Sequence, residues 1–432
     1  MFLVEGGHRL AGTIAAAGNK NAALPILAAT LLTDEPVTLH NLPRIGDVET
    51  LLQLLHQLGA HITEHDHQTV TINAANVRPT DLDPRLCRQI RASILLAGPL
   101  VSRWGRAHLP LPGGDSIGRR RIDTHFLALN ALGATSAEHP DGTMEVAARE
   151  LHAADIFLDE ASVTGTENAI LSAVLTPGRT TIANAASEPH VQDLCHFLNG
   201  LDACIGGVGT NTLTIDGVER LSGGEYRISA DHIEVGSYVG LAAATGSEIT
   251  ICDAVPEHLR MIELVFARLG VRVEARGRDL FVPGGQTLAV RDDLLGAIPT
   301  IKDGPWPAFP ADLTSIAVVT ATQAQGTVLI FERMFESRLF FVDKLIQMGA
   351  KIVLCDPHRV VVVGPAQLHG EVLSSPDIRA GMALLIAALT ADGLSEIHNE
   401  AQIDRGYERL DERLQALGAR IERKHGRAFA GV

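Results

Sequence analysis

Six stretches of the chain are apolar on nearly every side: residues 21–32, 88–101, 167–175, 232–244, 311–324 and 376–391. A helix without a polar face must be enclosed by other protein, so each stretch predicts a buried helix. Short runs rich in β-branched residues and ending in polar ones follow them, at 37–41, 180–184, 248–252, 327–331 and 395–399, and these read as strands. Next comes an amphipathic helix closing on Leu-Gly-Ala or a near variant: Leu58-Gly59-Ala60, Leu132-Gly133-Ala134, Leu201-Asp202-Ala203, Leu269-Gly270-Val271, Met348-Gly349-Ala350 and Leu417-Gly418-Ala419. The middle residues of these triplets lie 68 to 79 positions apart. Self-similarity at such a period means one supersecondary unit repeated. The pattern therefore predicts an α/β protein of six units, three to a domain, with helices surrounded by sheets. The turn at Pro140-Asp141-Gly142 between short strands favours mixed sheets.

Length agrees with two domains, because 432 residues exceed what one hydrophobic core usually supports. Charge removes several functions from consideration. A formal net charge of −15 leaves no basic excess to drive binding to nucleic acid or anionic membrane. The first residues lack the apolar core of a signal peptide, and no run reaches membrane-spanning length, so the chain is expected to stay in the cytoplasm. Five scattered cysteines, Cys87, Cys195, Cys204, Cys252 and Cys355, show no paired spacing and suit a reducing compartment. The tract Glu64-His65-Asp66-His67 has no further ligands beside it, so no metal site is expected.

The unusual polar residues fall at the starts of the apolar helices. Lys20 and Asn21 open the first and Arg91 the second; residues 162–166 precede the third, Asp231 the fourth, Asp312 the fifth, and Asp377 with Arg379 the sixth. Helix N-termini present unpaired N–H groups and partial positive charge, so converging ends build an anion site in a cleft between two three-repeat domains. Asp231, Asp312 and Asp377 equally fit a second reading as plain helix caps. One loop adds chemistry: Leu111 to His125 carries Gly113, Gly114 and Gly118 around Asp115, followed by Arg119, Arg120 and Arg121. Glycines let such a loop fold closely over a ligand, and guanidinium forks grip phosphate or carboxylate. An acid beside a bound anion suggests proton transfer.

Six ordered motifs give the pattern a family likeness. Gly18-Asn19-Lys20-Asn21, Arg91-Ala92-Ser93-Ile94, Pro112-Gly113-Gly114-Asp115, Ser162-Val163-Thr164-Gly165-Thr166-Glu167-Asn168, Phe309-Pro310-Ala311-Asp312 and Asp404-Arg405-Gly406-Tyr407 together resemble the UDP-N-acetylglucosamine enolpyruvyl transferases, essentially end to end. The resemblance implies two inside-out α/β domains, 20–229 and 1–19 plus 230–432. It also implies transfer of the enolpyruvyl group of phosphoenolpyruvate to the 3-hydroxyl of UDP-N-acetylglucosamine with release of phosphate, opening peptidoglycan precursor synthesis without cofactor or metal.

On the same resemblance Lys20, Asn21, Arg120, Arg338, Arg379 and Arg405 hold phosphoenolpyruvate. Asn21, Arg91, Arg120, Arg121, Ile122, Asp123, Thr124, Ser162, Val163, Thr164, Asp312 and Met334 hold the nucleotide sugar. Asp312 is the implied base, and Lys20 and Arg405 complete the catalytic set with Asp115. Four residues depart from the family's common pattern. Asp115 replaces a cysteine, which keeps a proton donor, requires a carboxyl that stays protonated near neutrality and predicts resistance to fosfomycin. Arg121 replaces a proline, Glu160 stands where some members have lysine, and His232 replaces an arginine. Two alternatives remain at this level: the same transfer to a different nucleotide acceptor, or a non-catalytic nucleotide-sugar-binding paralogue.

Overall fold

A computed structural model describes residues 1–115 and 117–424. Ser116, inside the glycine-rich loop motif, and residues 425–432, at the end of the expected second domain, lie outside the described residues. Two compact units emerge: Gly18–Asp115 with Arg120–Ser229, and Met1–Ala17 with residues 117–119 and the chain from Ala230 onward. The first unit begins at Gly18, two residues before the expected boundary. Gly18 and Asn19 are fixed locally, since a Cβ on Gly18 would lie 1.8 Å from the Asn41 carbonyl oxygen and Asn19 N–H donates to Ser229 O at 2.7 Å. Ala17 instead donates to Glu234 Oε2 and accepts from Asp231 N–H, both in the second unit.

In the first unit the buried helices are Lys20–Ala29, Ala97–Trp104 and Val163–Ala173. Around them lie two four-stranded sheets and one of three strands. The strand Gly224–Arg227 runs parallel to Val37–His40, which pairs antiparallel with Val70–Asn73, and that strand with His61–Glu64. The sheet Asp155–Phe157, Arg179–Ala183, Thr212–Asp216 and Cys204–Gly206 repeats this arrangement. The three-stranded sheet, Arg106–Leu109, Met144–Ala147 and Thr135–Glu138, lacks the leading parallel strand. The segment before its helix carries Pro79, which cannot donate to a ladder.

The second unit has buried helices His232–Thr245, Thr314–Ala321 and Ile378–Thr390 and three four-stranded sheets of the same mixed pattern. In the last sheet the chain's first strand, Phe2–Glu5, pairs with Leu394–His398 and Arg420–Arg423. The N-terminus thus completes the sixth repeat.

Three expected elements differ in detail. The helix expected over 88–101 is divided into Pro84–Gln89, a 3-10 segment Arg91–Leu96 and Ala97–Trp104; extended Ile90 separates the first two, and the second runs directly into the third. Residues 163–166 form the first turn of the third buried helix instead of preceding it, and only Ser162 stands outside as the cap. The fifth helix starts with a 3-10 turn, Ala311–Leu313.

One repeated device was not legible in the periodicity. Asn41, Asn184 and Asn399 directly follow the strand after a buried helix, and each takes a left-handed φ, 56°, 56° and 60°. Asparagine tolerates that region better than most residues. Each side-chain amide donates to the carbonyl just past the neighbouring parallel strand, of Ile228, Leu158 and Ser375 respectively. At the same place after Gly326–Phe331 stands a buried acid, Glu332.

Candidate functional site

In the first unit the helix starting at Lys20 is capped by Asn19, whose Oδ1 accepts from Asn21 N–H and Ala22 N–H. This leaves Lys20, buried in the first turn, to pair with Asp47 at 2.7 Å. Asn21 is half-buried beside it. Arg91 opens its 3-10 segment and directs Nη2 at the carbonyls of Arg120 and Arg121, both at 2.8 Å. Burial, aided by the Arg120 charge and opposed by Glu160, pulls the Arg91 guanidinium down to about 10. The descending limb of the loop is therefore fastened to Arg91 by its backbone. The ascending limb needs glycine at 113, where a Cβ would lie 1.7 Å from the Arg88 carbonyl oxygen. Asp115 ends that limb, half-buried.

Beyond Ile122, the helix Asp123–Ala131 sets Thr124 and His125 inward. Thr124 Oγ1 donates to Asp159 Oδ1 at 2.7 Å, and Arg121 bridges Asp123 at 3.2 Å and Asp159 at 2.9 Å. Two departures from the family pattern therefore share one neighbourhood. Arg121 brings a positive charge to Asp159, and the adjoining Glu160 brings an acid within 3.4 Å of Thr124 Oγ1. Ser162 caps the helix Val163–Ala173 by accepting from Gly165 N–H, with Val163 and Thr164 half-buried in the first turn.

In the second unit the three aspartates separate by role. Asp231 and Asp377 are caps, each accepting two backbone N–H groups of its own helix. Asp312 lies within its 3-10 turn and is taken up by two arginines. Its Oδ1 meets Arg338 Nη2 at 3.0 Å and its Oδ2 meets Arg379 Nε at 3.2 Å. Both guanidiniums are buried, Arg338 5.0 Å from the Phe335 ring centroid and Arg379 5.4 Å from that of Tyr407. Burial works against the Arg379 charge, but Tyr407, Asp312 and Asp231 outweigh it and raise the affinity for the proton. Arg338 Nη1 and Arg379 Nη1 have no hydrogen-bond partner among the described residues. A buried donor left unmade costs about 1–3 kcal/mol, and an arriving anion removes that cost.

Two further expected residues of this unit, Arg405 and Met334, are more open. Arg405 follows the short helix Ala401–Asp404 and donates to Gln402 Oε1 at 2.9 Å. Met334 is exposed, with its N–H bonded to Asp303 Oδ2. His232 begins its helix fully enclosed, edge-on to His258 and Trp306. Burial, with the His258 charge, pulls it down to about 3, so it stands as a neutral ring where the family pattern has a cation.

Four residues around these groups were not singled out by sequence. Asp47 partners Lys20, Asp159 anchors Thr124, and Glu332 lies 3.9 Å from Arg338 Nε. His125 is buried beside Thr164. Of the four, Glu332 left a usable signal, as one of two acids, with Asp253, standing where three repeats have asparagine.

The chain is similar to proteins of one enzyme family. Residues 4–414 match the family model described as EPSP synthase (3-phosphoshikimate 1-carboxyvinyltransferase). The UDP-N-acetylglucosamine 1-carboxyvinyltransferase of Bradyrhizobium diazoefficiens is 58% identical over 98% of this chain and 97% of its own. That of Borreliella burgdorferi is 55% identical over 98% of each chain. Among solved structures, the enolpyruvyl transferase NikO from Streptomyces tendae superposes with a TM-score of 0.86 at 25% identity, covering 98% of both chains. The chain belongs to the EPSP synthase family of carboxyvinyltransferases, and within it lies with the relatives named UDP-N-acetylglucosamine 1-carboxyvinyltransferase.

Proposed function

We propose that this protein transfers the enolpyruvyl group of phosphoenolpyruvate to the 3-hydroxyl of UDP-N-acetylglucosamine, releasing phosphate, in the cytoplasm and at the start of peptidoglycan precursor synthesis. Full-length identity of 58% to a relative of that name supports the substrate pair. The structural observation that carries the chemistry is the unsatisfied guanidinium pair on Asp312.

Phosphoenolpyruvate brings a carboxylate and a phosphate. These compete with Asp312 for Arg338 and Arg379, through charge-assisted hydrogen bonds that both guanidiniums are oriented to make. Each contact the substrate takes leaves Asp312 a less neutralised carboxylate, better able to accept the proton of the sugar hydroxyl. Arg405, Arg120 and Lys20 supply further positive charge for the addition intermediate, and Asn21, Arg91 and residues 120–124 and 162–164 hold the nucleotide sugar. Asp115 delivers the proton to the methylene carbon.

The test is phosphate release with both substrates, in the intact protein and in Asp115→Asn, which keeps the shape and removes the transferable proton. Turnover is expected to fall roughly 10²–10⁴-fold, the usual worth of general acid catalysis. Near-normal turnover removes Asp115 from the mechanism. With a carboxylate in place of a loop thiol, fosfomycin should leave the activity without time-dependent loss.

A further inference from the structure

A chain of three uncharged side chains behind the start of the helix Val163–Ala173 has only one permitted direction. Asn168 is wholly buried, and the backbone fixes its amide: Gly98 N–H donates to Oδ1 at 3.0 Å, and Nδ2 donates to the Ile94 carbonyl at 2.9 Å. Turning the amide over would set donor against donor at Gly98 and acceptor against acceptor at Ile94. Nδ2 also lies 2.7 Å from His125 Nδ1. An amide nitrogen only donates, so Nδ1 accepts, and the proton of the neutral ring sits on Nε2. That nitrogen is 3.1 Å from Thr164 Oγ1 and must donate to it. The hydrogen of Thr164 is then free to donate elsewhere, and it has no acceptor among the described residues.

Nothing in the enclosure lets the ring reverse this order. His125 is fully buried, and burial together with the Arg91 charge pulls it down to about 3, so it does not become a double donor near neutrality. Thr164 lies in the first turn of its helix, where the field of the backbone favours an anion.

We infer that His125 and Asn168 are positioning residues that make Thr164 an obligate donor to a phosphoryl oxygen of the nucleotide sugar. The inference rests on the substrate reading above and adds a polarity to it. A hydroxyl free to turn can serve donor and acceptor groups alike. One that already accepts from a buried imidazole rewards only an acceptor, and so favours the diphosphate over a ligand presenting a donor there.

Two measurements test it. In the intact protein, the ¹⁵N spectrum of labelled histidine should show His125 protonated at Nε2 alone near neutral pH; an Nδ1–H tautomer or an imidazolium overturns the inference. In kinetics, Thr164→Val should raise KM for the nucleotide sugar roughly tenfold, about the worth of one hydrogen bond to a charged group, and His125→Phe should raise it by less, because the hydroxyl remains but is free to turn; KM for phosphoenolpyruvate stays unchanged in both. The double variant should be no worse than Thr164→Val alone, because the ring acts only through the hydroxyl. Additive losses, or equal losses on both substrates, overturn the inference. Should His125→Phe fail to fold, His125→Gln decides, since its carbonyl can accept from Asn168 and its amide donate to Thr164: KM should stay near that of the parent, and a tenfold rise counts against the relay. If the intact protein releases no phosphate, the substrate reading has failed; the tautomer and equilibrium binding of UDP-N-acetylglucosamine still judge this one.

Discussion

The polar groups behind Thr164 and those around Asp312 sit at equivalent places, the starts of buried helices in the two units, yet they are built on opposite principles. Behind Thr164 every group is neutral and every bond is made, from Ile94 through Asn168 and His125. Around Asp312 a carboxylate is shared by two buried guanidiniums that keep unmade bonds, with the acid Glu332 close by. A closed neutral chain fixes the direction of one donor and serves recognition. An open charged cluster holds interaction energy in reserve for a substrate and serves chemistry, where charge develops and must be met.

The largest expected effect breaks the charged cluster. Asp312→Asn removes the base and the carboxylate that Arg338 and Arg379 share. Breaking one side of a buried ion pair typically costs about 3–5 kcal/mol, so the denaturation midpoint should fall along with turnover, which should drop by roughly 10³-fold. Thr164→Val should instead act on KM for one substrate. If Asp312→Asn lost turnover but melted like the parent, the pair would contribute nothing to the fold, and the contrast between reserve and closure would collapse.

A second, smaller effect uses pH. Burial pushes the Glu332 carboxyl from an ordinary 4.5 up to about 8, against the opposing charge of Arg338. Between those values the folded protein keeps a proton that the unfolded chain has released, so stability is full below the lower value and is lost as pH rises through the upper one. His125 acts with the opposite sign: its folded value of about 3 lies below the ordinary 6.5, so stability is lost as pH falls through that interval. Glu332→Gln preserves the neutral shape and should reduce the alkaline loss by up to about 1.4 kcal/mol per pH unit, the slope of one proton. The acid side should be unchanged. Urea midpoints across the pH range read both limbs; an unaltered alkaline limb would assign that loss to Glu167, which burial and nearby Glu188 also push upward.

Much of this architecture was legible in the chain because it is periodic. Buried helices, the strands after them and the closing Leu-Gly-Ala turns follow from local pattern. The roles of individual acids do not. Asp231, Asp312 and Asp377 look alike in sequence, each just before an apolar helix, and two of them are caps. What distinguishes Asp312 is a pair of arginines 26 and 67 positions further on, a tertiary fact with no local trace. His125 was hidden for a related reason. It closes the loop motif, and no local pattern shows that the helix beginning at Asp123 turns it fully inward against Asn168.

The smallest expected effect sharpens the neutral side. The resemblance places Arg121 among the groups holding the nucleotide sugar, but its side chain is spent on Asp123 and Asp159, while its carbonyl receives Arg91 Nη2 at 2.8 Å. Arg121→Pro restores the family's common residue and keeps that carbonyl while removing the two exposed ion pairs. Such pairs contribute little, so KM for the nucleotide sugar should move by no more than about twofold, and less still at high salt. A tenfold rise would mean that the guanidinium itself reaches the ligand. Recognition in this unit would then draw on an added charge as well as on the neutral chain behind Thr164, and the division between the two units would be one of degree.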